Sequence, residues 1–353
     1  MISVIIPIYN KKKYIKRIID VLKEQTYKDI EAIFIDDGST DGSYKIAKSY
    51  ENGKNIFVYK QKNQGVSVAR NLGILHAKGN WISFLDPDDF VVKTYFEELI
   101  KFEKNYDIIS CCCYAISDNR KVINNFFSDN RDFSGKKKRI LFRQLLDDTY
   151  DQPGKTYTAI GVPWGKLYKK SLILDNNIKF NTKLKKMEDN MFNMHAFQCA
   201  HNIYYLNKPL YFYSINHIKN DYISNFDSYA LKNIIELQKA RVAFFEENKY
   251  LLDRKTKFIF GNATVSLLIS MFNKFLLNKE NNQTYWQKKL IYLNLIKLPF
   301  FYEIIHALDI FKVNGIVHKI VAFSMKYKLF CPIKFIWCFR EVYVKIKYKE
   351  YTN

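Results

Sequence analysis

Glu31-Ala32-Ile33-Phe34-Ile35-Asp36-Asp37-Gly38-Ser39-Thr40-Asp41 is the stretch whose reading decides the fold. A short apolar run, Glu31–Ile35, ends abruptly in acids gathered around a glycine. Buried strands of a parallel sheet read as near-continuous apolar runs, and a polar turn marks the carboxyl edge where they stop. Gly38 and Ser39 fit a tight turn with the glycine at positive φ. The same carboxylates could accept a hydrogen bond from a nucleobase ring N–H.

The pattern repeats on both sides. Ser3–Ile8 predicts a first strand, broken at 10–13, and Tyr14, Ile15, Ile18, Ile19 and Leu22 recur at helical spacing. After the decisive stretch come a helix over Ser43–Tyr50, a strand over Ile56–Tyr59, a helix over Val66–His76 and a strand over Trp81–Leu85. Thr94–Glu103 reads as helix and Asp107–Cys113 as a fifth strand. The alternation predicts an α/β domain, Rossmann-like, with a mainly parallel sheet and helices on both faces. Ligands of such sheets bind beyond the carboxyl ends of the strands. The polar clusters 7–10, 36–37, 60–63 and 86–89 follow four successive strands and so converge on one crevice. Further on, Lys183–Ala196 reads as a loop entering a helix, and Ile203–Leu206 and Leu210–Ser214 as two short strands. From about Phe226 the pattern is helical, which gives two regions, 1–220 and a mainly α-helical C-terminal region, 221–353.

Of 353 residues, 48% are hydrophobic and 26% charged, which excludes a disordered chain. Residues 1–110 hold 17 basic and 15 acidic side chains, so nearly all of the net charge of +21 belongs to the rest. Six cysteines, three of them consecutive at 111–113, exclude a disulfide scaffold and read as small buried hydrophobes. Met1 leads straight into the first strand, so no secretory leader is expected. The uncharged run Phe258–Asn273 falls short of a bilayer span and predicts a helix packed in protein. There is no Gly-x-Ser-x-Gly elbow, phosphate-binding Gly-x-x-x-x-Gly-Lys loop or Gly-x-Gly-x-x-Gly, nor a His-x-x-x-His spacing. Serine hydrolase, P-loop and dinucleotide oxidoreductase readings lose their usual support.

Three constellations carry chemistry. Asp86-x-Asp88 offers hard oxygens to a divalent ion such as Mg²⁺ or Mn²⁺. Asp86-Pro87-Asp88-Asp89 also fits a capped turn, although three carboxylates in four residues repel and a cation resolves this. Glu188-Asp189 suits a general base at a crevice mouth, or simply acids favoured at a helix start. Arg70, early in the third helix, could approach a diphosphate or lie on a solvated face.

Together these residues resemble the family-2 glycosyltransferases with the GT-A fold, of the type that builds bacterial capsular polysaccharide, exopolysaccharide or lipooligosaccharide. The resemblance runs through Ser3–Asn10, Gln25-Thr26-Tyr27, Phe34–Asp41, Asn63-Gln64-Gly65, Ala69-Arg70-Asn71, Gly79–Asp89, Trp164–Tyr168 and Glu188–Phe192, covering about residues 1–215. It implies an inverting transfer of a sugar from a nucleoside diphosphate, a UDP-sugar, to a hydroxyl of a glycan or lipid-linked oligosaccharide acceptor. Pro7, Tyr9 and Asp37 would hold the nucleobase end, with Asp37 facing the ring N–H. Lys62, Gly65 and Arg70 would line the nucleotide. Asp86 would sit near the ribose and metal, and Asp88 would ligate Mn²⁺ or Mg²⁺. Asp189 would be the general base with Glu188 beside it, while Trp164 and Lys166 shape the acceptor side. The enzymatic competitor is a sugar-phosphate nucleotidyltransferase, but the loop at 7–13 lacks its glycines. The non-enzymatic one is a glycan- or lipid-binding module on a transferase fold.

The basic half admits a Lys-rich exterior without a partner, nucleic acid, or an anionic membrane surface. Lys outnumbers Arg 47 to 9 and no nucleic-acid-binding motif stands out, so nucleic acid is not expected. The tail interleaves bases with aromatics including Phe311, Phe323, Tyr327, Phe335, Phe339 and Tyr343, a mixture suited to an interfacial segment. This fits a cytoplasmic enzyme held peripherally on the inner face of the membrane.

Overall fold

The computed structural model of the chain describes residues 1–117, 120–154, 157–215 and 226–337. The chain divides into two compact units, Met1–Asn220 and Asp221–Asn353. The boundary expected near 220 falls outside the described residues, as do Phe339 and Tyr343.

The first unit is built on one ten-stranded sheet. Its first half is β1 (Ile2–Ile8), β2 (Ile30–Asp36), β3 (Ile56–Lys60) and β4 (Trp81–Phe84), all parallel in the order 3-2-1-4. The strands are joined by α1 (Lys12–Lys23), α2 (Ser43–Ser49) and α3 (Val66–His76). Every residue of β1 is buried, which is why it reads as an unbroken apolar run. The helix α3 presses onto this strand at a glycine. A Cβ on Gly73 would stand 2.3 Å from Ile5 Cγ2, so only hydrogen fits there.

Beyond β4 the sheet becomes mixed. The expected fifth strand is present but longer, as β6 (Ile108–Ser117). Its neighbour is not β4. The short strand β9 (Lys166–Lys169) lies between them, antiparallel to both. The two strands expected over 203–214 are one, β10 (Asn202–Ser214), parallel to β6. The register shifts on either side of Pro209, so a residue with no N–H to give bends the pairing without ending the strand. β5 (Phe90–Val91), β7 (Arg120–Asn124) and β8 (Arg131–Ser134) add antiparallel edges. Cys111, Cys112 and Cys113 are buried in β6, whereas Cys331 is exposed.

Further helices among the described residues of this unit are α4 (Tyr95–Ile100), α5 (Arg139–Leu146), α6 (Lys170–Asp175) and α7 (Glu188–Cys199). The last is held electrostatically at both ends. Glu188 and Asp189 occupy its first turn, and the Lys138 ammonium donates to the carbonyls of Phe197, Gln198 and Ala200 at 3.0, 2.9 and 2.6 Å. Acids at the start and a cation at the finish both oppose the helix dipole.

The second unit is helical: α8 (Ala230–Glu247), α9 (Arg254–Met271), α10 (Tyr285–Ile296), α11 (Pro299–Ala307) and α12 (Ile316–Lys326). Val265, Leu268, Phe272, Tyr292, Phe301 and Val321 are among the side chains of its core. Burying each contributes about 1.5–3 kcal/mol. A Cβ on Gly261 would meet Leu308 at 2.6 Å, so α9 packs closely there. The uncharged run at 258–273 belongs to a longer helix, Arg254–Leu276, whose 23 residues are long and apolar enough to cross a membrane. In the structure 56% of its most apolar window is buried.

Candidate active site

The carboxyl ends of β1 to β4 are tied to one another by side chains. Asn10, after β1, has positive φ, receives Thr40 N at 2.9 Å on its Oδ1 and donates its own N–H to Ser39 Oγ at 3.0 Å. Asp37, after β2, is buried and accepts three hydrogen bonds from the segment after β3: Gln61 Nε2 at 2.7 Å, Gln64 N at 2.8 Å and Gly65 N at 2.8 Å. Gly38 has φ +75, and a Cβ there would stand 2.8 Å from Asn63 N. The turn with glycine at positive φ is therefore present, and it supports the next loop. Gly65, at φ +95, opens α3 directly behind it. Pro7 is buried in β1, while Tyr9 (48% exposed) and Lys62 stand at the surface of this edge.

Arg70 lies just over one turn into α3 and organises the next group. Its Nη2 donates to Asp86 Oδ1 at 3.1 Å, and its Nη1 lies 3.5 Å from Glu188 Oε1. The guanidinium sits over the Phe180 ring at 5.2 Å, and that ring is stacked on Phe192 of α7 at 4.0 Å. Burial disfavours the Arg70 charge, but Asp86, Glu188 and Asp189 outweigh it, so its pKa is raised. One buried cation thus gathers the end of β4 and the start of α7. Among the described residues the Arg70 Nε has no hydrogen-bond partner.

The carboxylates around it respond in kind. Burial, and next to it Asp189, pushes Glu188 up to about 7. Burial raises Asp189 as well, against the pull of Arg70, and its Oδ1 accepts from Asn190 N at 2.7 Å. Asp89 is held far above its ordinary range by burial and by Asp86; it accepts from Tyr211 Oη at 2.7 Å and Ser214 N at 2.9 Å. The three acids of 86–89 therefore face three different surroundings. Asp86 meets Arg70, Asp88 meets the Lys11 ammonium at 2.7 Å, and Asp89 turns inward to β10.

Two of these carboxylates suit a divalent cation. Asp86 and Asp88 are 27% and 30% exposed, and each has one oxygen engaged by a side-chain cation. The other oxygen of each accepts no protein hydrogen bond among the described residues. Hard carboxylate oxygens suit Mg²⁺ or Mn²⁺, which commonly take one or two carboxylates and fill the remaining positions with phosphate and water. Among the described residues no three His, Cys, Asp or Glu side chains form a metal cluster.

Trp164 and Lys166 lie deeper. The Trp164 ring stacks on Tyr211 at 4.2 Å. Lys166 is fully buried, donates to Val162 O at 2.6 Å, and burial lowers its pKa to about 7. Both side chains are buried, one against an aromatic ring and the other against a backbone carbonyl. Sequence reading missed Lys11, Phe180, Tyr211 and Asn193. Asn193 accepts from Tyr168 Oη at 2.8 Å and donates to Gly161 O at 2.9 Å. Only Lys11, the first of three lysines after β1, left a signal in the sequence.

Residues 3–162 match the family model described as Glycosyl transferase family 2. The chain is 28% identical over 275 residues to the Putative glycosyltransferase EpsH of Bacillus subtilis (strain 168), covering 76% of each. It is 33% identical over 221 residues to Glycosyltransferase GlyG of Streptococcus pneumoniae serotype 4, covering 60% of this chain and 70% of GlyG. Among solved structures, S. aureus TarS 1-349 in complex with UDP-GlcNAc aligns with a TM-score of 0.66 at 21% identity, over 94% of this chain and 89% of that one. That likeness establishes a shared GT-A fold.

Proposed function

Because this chain belongs to glycosyl transferase family 2, we propose that it transfers a sugar, with inversion, from a UDP-sugar to a hydroxyl of a glycan or lipid-linked oligosaccharide. The observation that carries this reading is the Arg70 cluster, in which one guanidinium meets Asp86 at 3.1 Å and Glu188 at 3.5 Å. It gathers a cation-binding acid and the acidic pair of α7 at one place. The solved structure of TarS with UDP-GlcNAc supports a uridine nucleotide as donor.

Each residue then has a task. Tyr9 and the turn at Asp37 border the nucleobase, and the entry of α3 behind Gly65 offers its N–H groups to phosphate. Arg70 balances charge beside the diphosphate. Mn²⁺ or Mg²⁺ held by Asp86 and Asp88 would neutralise the departing diphosphate. Asp189 takes the acceptor hydroxyl proton; burial raises its affinity for that proton, which suits it to act as a base, and Glu188 stands beside it.

In the second unit several large apolar side chains stand in solvent, including Phe311 (88% exposed), Ile316 (75%), Trp286 and Phe335. With a Lys-rich exterior around them, they support peripheral attachment to an anionic membrane on its cytoplasmic face.

The test is Asp189→Asn. Release of UDP from a UDP-sugar panel with acceptor should fall by about 10²–10⁴-fold, while calorimetry shows UDP bound as before. Turnover within threefold of the parent chain would remove Asp189 as the base.

A further inference from the structure

The helical unit contains a cavity with a charge pattern that its own side chains leave unbalanced. Its volume is about 300 Å³, and Tyr285, Lys288, Phe330, Lys334 and Trp337 are among the side chains that line it. The capping box of Thr284 and Gln287 fixes the start of α10 and so places Tyr285 and Lys288, three residues apart, on one helix face. Phe330 and Trp337 are buried and supply apolar walls. The Lys334 ammonium stands 4.9 Å from the Tyr285 ring centroid. Burial, together with repulsion from Lys334, lowers the pKa of Lys288. Among the described residues neither lysine has an acidic partner. Two ammonium groups that repel each other across an aromatic-walled cavity are stabilised by an anion between them.

We propose that this cavity binds an organic phosphate, with the phosphate between Lys288 and Lys334 and the carbon skeleton against Phe330 and Trp337. The cavity lies wholly within Asp221–Asn353, so the proposal stands apart from sugar transfer. A phosphate accepts from both ammonium groups in charge-assisted hydrogen bonds. The aromatic walls give an attached chain or ring a dry surface that bare phosphate does not use. The ligand can be soluble or can be the headgroup of a membrane lipid.

The experiment uses the full chain and hexyl phosphate, followed by calorimetry. Saturable binding is expected, weaker by about 100-fold in Lys288→Gln/Lys334→Gln, since two charge-assisted contacts are lost. The charge-matched control Lys232→Gln/Lys319→Gln should bind as the parent does. Absence of saturable binding in the parent chain, or equal weakening in the control pair, overturns the proposal. The unliganded double variant should melt at the same or a higher temperature, because repulsion has been relieved. A fall of several degrees would mean the two charges already serve the fold, and would also overturn it. Phosphatidylcholine vesicles doped with phosphatidic acid identify the source. If the cavity variant loses vesicle binding, the ligand is a headgroup; if it keeps vesicle binding but loses hexyl phosphate, the ligand is a soluble phosphate.

Discussion

The Lys11 ammonium lies 2.7 Å from Asp88 Oδ2, although 77 residues separate them in the chain. Under the proposed metal role of Asp88, this ammonium competes with the ion for the same carboxylate. A partly exposed pair of this kind is worth about 1 kcal/mol or less. Lys11→Met should therefore tighten Mn²⁺ binding by about fivefold in a paramagnetic-resonance titration without nucleotide. Unchanged affinity would mean that the ion binds away from Asp88.

Glu188 gives the first unit an unusual pH response. Its ordinary value is 4.5 and the folded chain raises it to about 7. Between those values the folded state holds a proton that the unfolded chain has released, so this group makes stability fall as pH rises from about 4.5 to 7. The loss amounts to about 3 kcal/mol at most. Glu188→Gln should flatten that part of the curve, and urea melts of both proteins at pH 5 and pH 7 measure it. Parallel losses in the two proteins would rule the assignment out.

Close packing at Gly73 predicts steric cost and its rescue. Gly73→Ala places a methyl against Ile5 Cγ2 and should destabilise by about 1–3 kcal/mol. In an Ile5→Ala background the same change should cost less than half as much, because the obstructing atoms are gone. Additive losses in denaturant melts would show that α3 yields by shifting.

Membrane attachment is tested by Phe311→Ser/Ile316→Ser in the full chain. Co-sedimentation with phosphatidylglycerol vesicles should drop by about tenfold, as burial of two large apolar side chains would supply more than enough for that change. Equal sedimentation of both proteins would place any attachment elsewhere.

What could be read from the sequence follows from the range of the interactions. β1 to β4 and their helices are visible because apolar runs and helical spacing are local signals. Asp86, Arg70 and Glu188 stand out individually as residue types at element ends; that Arg70 joins the other two depends on which strands are neighbours. The insertion of β9 between β4 and β6 decides that arrangement. Its four residues, Lys166-Leu167-Tyr168-Lys169, are too few to carry a period. Lys166 shows the same limit, since a lysine beside a crevice motif does not announce that it is buried against backbone carbonyls. Tyr211 closes on Asp89 across 122 positions, and no spacing rule reaches that far.

Asp37 acts as a rivet between two crossings of the sheet, because both of its oxygens are already committed to the stretch 61–65. A chain altered there would release that stretch, and with it the nucleotide edge proposed above, even if the side chain never touched a ring. Lost catalysis on altering this aspartate therefore cannot by itself separate base reading from masonry.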